Sequence, residues 1–318
     1  MAKFRDSTPD PVAIVEAAAR PQAQHPPHSP QAPDADNTVH EHERSIGDII
    51  AELRNLTTEQ VEKVLEHQRQ AGVRFGEAAV ALGYASKDDV LFALSQQFHY
   101  PYAPEEQRHV SPELVALNEP FSARAEGFRA LRSQLMMRLF DEGSPPRALA
   151  VISPDAGDGK TYCAANLAVA LAQLGGRTLL VDADMRGPRL HEVFKLKNQT
   201  GLSGILSGRS DSHVIQQVAG VPSLFVLPVG TTPPNPLELV ERPAFGLLMR
   251  ELVSKFDYVV VDTPAAVYGA DAAVIAARCG AALVVARKDK GRVADLQDMV
   301  ANLAETPTKL SGVIVNEF

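Results

Sequence analysis

The sequence predicts an α/β fold: a mostly parallel sheet covered by helices, preceded by a small helical domain and a disordered N-terminus. Three observations carry this prediction. Beyond Arg147, short apolar runs alternate with helical patterns. Residues 46–97 contain one helical pattern written twice. Before residue 44, seven prolines interrupt a stretch rich in Ala, Gln, His and Asp.

Taking the elements in order, residues 1–43 cannot bury enough apolar surface to offset chain entropy and are expected to be disordered, apart from a short helix around Val12–Ala19. Residues 44–104 form a helical repeat module. Ile46–Gln68 repeats at an offset of 29 as Phe75–Gln97, aligning Gly47 with Gly76, Leu53 with Leu82, Thr57 with Ser86 and Leu65 with Leu94. Thr57 and Ser86 read as N-caps, because Gln60 and Asp89 follow three residues later in near capping boxes. Pro101 and Pro104 close the module, and 105–120, with Pro112 and Pro120, reads as a linker.

Residues 121–318 are the α/β domain. It opens with an amphipathic helix, Ser122–Phe140, whose face carries Phe128, Leu131, Leu135 and Leu139. The runs Ala148–Ile152, Thr178–Val181, Leu224–Leu227, Tyr258–Val261, Ala281–Ala286 and Val313–Val315 are near-continuously apolar, as strands covered on both faces must be. Helical patterns between most of them predict parallel crossovers.

Composition narrows the chemistry. Apolar residues make up 45%, charged residues 22%, and the net charge of −8 argues against a main role in binding nucleic acid or anionic lipid. Cys163 and Cys279, the only cysteines, suggest neither a disulfide framework nor a zinc site. No run is long enough to span a bilayer and no secretory signal is present, so a cytoplasmic protein is expected.

The first apolar run leads directly into Ser153-Pro-Asp-Ala-Gly-Asp-Gly-Lys-Thr161, with a helix following through Leu174. Gly157 and Gly159 permit the backbone to turn its N–H groups around phosphate oxygens, and the helix N-terminus adds partial positive charge. Lys160 is placed to reach β- and γ-phosphates and Thr161 to ligate Mg²⁺. Ala156, Gly157, Asp158, Gly159, Lys160, Thr161 and Tyr162 are thus the expected nucleotide contacts, and the domain is expected to be a P-loop NTPase using ATP and Mg²⁺. Pro154 stands where the usual pattern has its first glycine. Two more apolar runs end in acids, Leu179–Asp184 with Asp182 and Asp184, and Val259–Asp262. Ligands of parallel sheets sit at the strands' carboxyl ends, so all three carboxylates should converge on the loop. There they would hold Mg²⁺ or orient an attacking hydroxyl.

Together, Ser153–Thr161, Leu179–Arg186 and Val259–Pro264 resemble the Walker A, A′ and B motifs of bacterial tyrosine kinases, relatives of the MinD/ParA ATPases. Glu126-Gly-Phe-Arg129-Ala-Leu-Arg132 resembles that family's Glu-x-x-Arg-x-x-Arg oligomerisation motif, and Thr232–Leu239 its Pro-Asn-Pro segment. The resemblance covers roughly Glu119–Phe318. It implies an ATP-dependent protein-tyrosine kinase regulating exopolysaccharide chain length or export. Lys160, Asp182 and Asp184 would be catalytic, with Thr161, Asp184 and Asp262 around Mg²⁺ and Asn316 beside adenine. It also implies a ring-forming homo-oligomer and a membrane-embedded chain-length determinant that recruits the chain to the inner membrane. From the residues alone, Glu126, Arg129 and Arg132 fit equally a solvated helix face with i,i+3 ion pairs.

Departures leave alternatives open. Kinases of this family commonly carry a C-terminal tyrosine cluster, whereas here none of the six tyrosines lies beyond Tyr268. Tyr100, Tyr102 or a partner could be the acceptor, or an ATPase-driven oligomeric switch could act without phosphotyrosine. Asp155 replaces the signature lysine of the MinD/ParA branch, which disfavours a positioning ATPase. Residues 45–97 resemble the N-terminal domain of type II secretion and pilus ATPases, some of which bind cyclic di-GMP. Arg74, Gly76, Gly83 and Gln97 keep that pattern in the second copy. Ser45 and Arg54 break it in the first, which favours protein docking over cyclic di-GMP.

Overall fold

The computed structural model describes residues 45–97, 110–141, 143, 145–209 and 214–317. They fall into two compact units, 45–97 and 110–317. The expected disorder of 1–43, and Tyr100 and Tyr102, lie outside the described residues.

The first unit has four helices: α1 (Ile46–Leu53), α2 (Thr58–Ala71), α3 (Phe75–Ala81) and α4 (Lys87–Gln97). Their starts are set by caps. Gln60 N donates to Thr57 Oγ1 and Asp89 N to Ser86 Oγ, with the reciprocal side-chain bonds in place. Ser45 and Asp48 form a third such box. Val64, Ala78 and Ala79 make the buried centre. Arg54 ties the two copies of the repeat together, its Nε donating to buried Asp89 at 2.7 Å.

In the second unit, seven strands form one sheet. They are β1 (Ala148–Ile152), β2 (Thr178–Asp182), β3 (Gln216–Gln217), β4 (Leu224–Leu227), β5 (Tyr258–Asp262), β6 (Gly280–Arg287) and β7 (Lys309–Asn316). The order is β3-β4-β2-β5-β1-β6-β7, and every pairing is parallel except β3 with β4. Successive residues of a strand point to opposite faces, so Ala148, Ala150 and Ile152 enter one core layer while Leu149 and Val151 enter the other. Helices cover both layers, the most buried being α7 (Lys160–Ala172), which directly follows the phosphate loop.

Three differences from the sequence reading have physical causes. The segment 110–120 is not a linker: Leu114, Val115, Ala116 and Leu117 are buried, and α5 (Val115–Asn118) packs in the core. Polar side chains of the α7 region make this burial affordable. Ala116 N donates to Asn166 Oδ1 (2.9 Å), and Gln173 Nε2 donates to Ala116 O (3.0 Å). The last strand is longer than its apolar run because β7 is an edge strand, with Leu310, Val313 and Val315 exposed in its pleat. The two-residue β3 is polar at both positions and left no apolar signal. The expected amphipathic helix is α6 (Ala123–Arg138), capped by Ser122 and packed through Leu135, with Phe128 and Leu131 partly buried.

Candidate nucleotide-binding site

Strand order fixes the site. Because β5 lies between β2 and β1, the carboxyl ends of those three strands are neighbours, and Asp182 stands directly opposite Asp262 in the register. From Ile152 the chain passes through Ser153–Gly159 into α7. Gly157 and Gly159 have φ of +83° and +97°, a region L-residues rarely adopt. At Gly159 an added Cβ would come within 2.2 Å of Asn316 Nδ2, so glycine is required there on space as well.

A cleft of about 540 Å³ opens over this loop, lined by Ala156, Gly157, Gly159–Tyr162, Asp184, Arg186, Arg189 and Tyr268. Lys160 is buried, and Thr161 Oγ1 donates to Asp262 Oδ2 at 2.7 Å. Asp262 is fully buried and its Oδ1 has no hydrogen-bond partner. Asp184 Oδ1 accepts from the N–H groups of Arg186 and Gly187 at 3.1 and 2.9 Å, which orients the carboxylate at the cleft wall.

Asp182, expected among the catalytic groups, does not line the cleft. Its Oδ1 accepts from Asp184 N (3.2 Å) and its Oδ2 from Leu190 N (3.1 Å), so it pins both ends of the loop carrying Asp184. Asp158 is likewise turned inward. It is buried, its Oδ2 accepts from Asp155 N (3.0 Å), and its carbonyl accepts from Asn316 Nδ2 (2.9 Å). Asn316 therefore braces the loop from β7. Tyr162 is packed edge-on against Phe128, with ring centroids 5.7 Å apart.

Sequence reasoning gave no role to Arg186, which donates from Nε and Nη2 to buried Asp271 at 3.3 and 2.9 Å. It also missed Arg287, which donates to Gly157 O at 3.3 Å, and Tyr268. Arg186 could have been flagged by its place two residues after Asp184, and Arg287 by the Val285–Lys288 stretch that resembles a strand of the family; Tyr268 has no local signature.

The electrostatics follow from burial. Asp262 is pushed up to about 7 by burial, against the opposing pull of the Thr161 hydroxyl and the Lys160 charge. Asp182 is also raised, by burial and by the Asp262 charge beside it. Unfolded carboxylates ionise near pH 4. As pH rises from about 4 the unfolded chain loses these protons while the folded one keeps them, so stability falls, and above about pH 7 the Asp262 share of the penalty is complete. The melting temperature of nucleotide-free protein should therefore drop by several degrees between about pH 5 and pH 8. Differential scanning calorimetry reads this directly, and an unchanged or rising value would contradict the buried pair.

Among the described residues no three His, Cys, Asp or Glu side chains come close enough to hold a metal ion by themselves. The donors present, a hydroxyl, one cleft carboxylate and a buried carboxylate with an orphaned oxygen, instead suit Mg²⁺. That ion keeps waters and phosphate oxygens and needs few protein ligands.

Comparison with known proteins agrees with this geometry. Residues 149–318 match the model of the CobQ/CobB/MinD/ParA nucleotide binding domain. The tyrosine-protein kinase YwqD of Bacillus subtilis is 32% identical over 203 residues, which cover 64% of this chain and 85% of that protein. The chain belongs to the bacterial tyrosine kinases. The tyrosine-protein kinase wzc of Salmonella typhimurium is 31% identical over 212 residues, covering 67% of this chain but only 29% of that much longer protein. Among solved structures, the kinase domain of Escherichia coli tyrosine kinase ETK superposes with a TM-score of 0.61 at 30% identity, over 66% of this chain and 82% of that one. The chimerical protein CapA2B2 gives 0.61 at 32%, over 71% and 97%. The matched region is thus the nucleotide-binding unit of the family. No helix among the described residues is long and apolar enough to cross a membrane.

Proposed function

We propose that this chain transfers the γ-phosphate of ATP to tyrosine, as an autokinase acting within an exopolysaccharide assembly system. The observation that carries the reading is that Lys160, Thr161 and Asp184 line one cleft, with Asp262 bonded to Thr161. In this reading the Ala156–Thr161 backbone and Lys160 hold the phosphates, and Thr161, Asp184 and Asp262 hold Mg²⁺. The ion would neutralise charge on the transferring phosphoryl group. Asp184, held by two backbone N–H groups, orients the acceptor hydroxyl, while Asp182 acts at one remove by fixing the Asp184 loop. Asn316 is proposed beside the adenine, since it borders a recess of about 250 Å³ lined by Phe128, Leu131, Val285 and Val315.

Glu126, Arg129 and Arg132 are proposed to join copies into a ring. They are not an unengaged stripe in one copy: Arg129 pairs with Glu126 at 2.6 Å and donates to Pro120 O, and Arg132 donates to Ala170 O. Ring closure would exchange some of these bonds for bonds to a neighbour. A cytoplasmic chain recruited by a membrane-embedded chain-length determinant completes the reading. Residues 45–97 serve as a protein-docking module. The use of Arg54 in the Asp89 pair supports docking over a cyclic di-GMP site, because that position is occupied in holding the repeat together.

The test is to supply γ-labelled ATP and Mg²⁺ and measure both products, phosphotyrosine and free phosphate, for the native chain and Lys160→Met. The kinase reading expects phosphotyrosine that falls by about 10³-fold in the variant, the scale on which phosphate-stabilising groups act. Lysine-dependent phosphate release without phosphotyrosine, with the membrane partner present, would instead support an ATPase-driven oligomeric switch.

A further inference from the structure

We propose that Tyr268 is a phosphoryl acceptor of this chain, modified at the cleft it lines; the assignment rests on the kinase reading above. Among the described residues only two tyrosines border the phosphate cleft, Tyr162 and Tyr268. Tyr162 has a buried hydroxyl and lies under Phe128. Tyr268 is 55% exposed and lines the same cleft as Lys160, Thr161 and Asp184. Tyr258 begins β5, whereas Asp262 ends it. Four residue steps of strand separate the two by about 13 Å, at the opposite end of the sheet from the loop. Tyr84 belongs to the other unit.

The backbone that presents Tyr268 is fixed on both sides. A 3₁₀ turn, Ala266–Tyr268, follows β5, and the N–H groups of Ala266 and Val267 donate to the carbonyls of Ser153 and Pro154, each at 3.0 Å. The turn is thereby stapled to the start of the phosphate loop itself. On the other side Gly269 takes φ +144°, and an added Cβ there would meet Asp271 Oδ2 at 3.1 Å. Asp271 is in turn clamped by Arg186. A phenol left half in solvent on so firmly bonded a turn is held at the phosphate cleft.

The step balances with ATP as the only co-reactant. The Tyr268 phenol oxygen attacks the γ-phosphorus, and the bond from that phosphorus to the β,γ-bridging oxygen breaks as ADP departs. The phenol proton passes to water at the cleft mouth, late in a loose transition state that needs no strong base. The product places close to two negative charges in the cleft that Arg186, Arg189 and the phosphate loop also line. Like-charge repulsion should then weaken ATP binding several-fold, making the modification self-limiting.

The experiment maps phosphotyrosine by mass spectrometry after incubating the full chain with Mg²⁺ and γ-labelled ATP, with a Glu–Tyr copolymer present as an external acceptor. The expected result is phosphate on Tyr268 in the native chain, absent from Tyr268→Phe and from Lys160→Met. A labelled copolymer with Tyr268 unmodified would overturn the acceptor assignment and leave the kinase reading standing. With the membrane partner present, label on no tyrosine of the chain and none on the copolymer would overturn both. The decisive map is made on the native chain, so it does not depend on how any variant folds.

Discussion

Replacing Asp262 with asparagine is expected to stabilise the nucleotide-free protein at pH 8 while lowering Mg²⁺-dependent phosphoryl transfer by about 10²-fold or more. The two effects have one cause. Asp262 is fully buried, stands opposite Asp182 in the strand register, and has an oxygen with no hydrogen-bond partner. Without a cation, its charge is disfavoured by burial and by the neighbouring carboxylates. Asparagine keeps the size and an oxygen to accept from Thr161, yet removes that charge. The gain should therefore vanish near pH 5, where Asp262 is already protonated, and the sign of the change in melting temperature at the two pH values checks it. With Mg²⁺ and nucleotide bound the same charge becomes an asset, so its loss appears as lost turnover. Equal melting temperatures at pH 8, or full activity, would show that the buried acid is not held against its preference for a metal.

Gly159→Ala should be nearly as damaging, through shape alone. The residue sits at φ +97°, and its new Cβ would fall 2.2 Å from Asn316 Nδ2. Asn316 cannot simply swing away, because its amide donates to Asp158 O and braces the loop. Either the loop opens or β7 shifts, and N–H groups aimed at phosphate lose their convergence. Misplacement of about 1 Å in such a site costs about 10²-fold. Phosphoryl transfer should fall on that order, and titration calorimetry with Mg²⁺ and ADP should show weakened binding. Pairing the change with Asn316→Ala, which removes the clash but not the strained φ, should recover part of it. No recovery would mean that backbone strain alone decides.

Much of the fold could be read from the chain because its strands are covered on both faces and so are written as unbroken apolar runs. The runs at 148–152 and 224–227 match their strands end to end. That signal fails at the sheet edges, where Gln216–Gln217 is too short and polar to register and β7 hides every second residue in a polar or exposed position. It fails too at 114–117, whose burial depends on Asn166 and Gln173 some fifty residues away.

The site divides in the same way. A loop followed by Lys160 and Thr161, and acids closing two apolar runs, are local patterns that announce themselves. Which acid faces the cleft is not local. Asp182 and Asp184 are two residues apart and look alike in sequence, but only the backbone path to Leu190 shows that the first holds the loop and the second meets the ligand space. The Arg186–Asp271 clamp spans 85 residues, and Tyr268 reaches the cleft only because its turn is bonded to Ser153 and Pro154.

Lys160, Thr161, Asp184 and Asp262 are expected to act as one site for Mg²⁺ and the phosphates of ATP. A crystal structure of the chain with Mg²⁺ and a non-hydrolysable ATP analogue tests it most directly. The β- and γ-phosphates should lie inside the Ala156–Thr161 loop with the Lys160 ammonium on them, and Mg²⁺ should be bonded to Thr161 Oγ1 with Asp184 and Asp262 reaching it directly or through one water. Nucleotide bound elsewhere, or a metal that leaves the Thr161–Asp262 hydrogen bond and both carboxylates untouched, would contradict it.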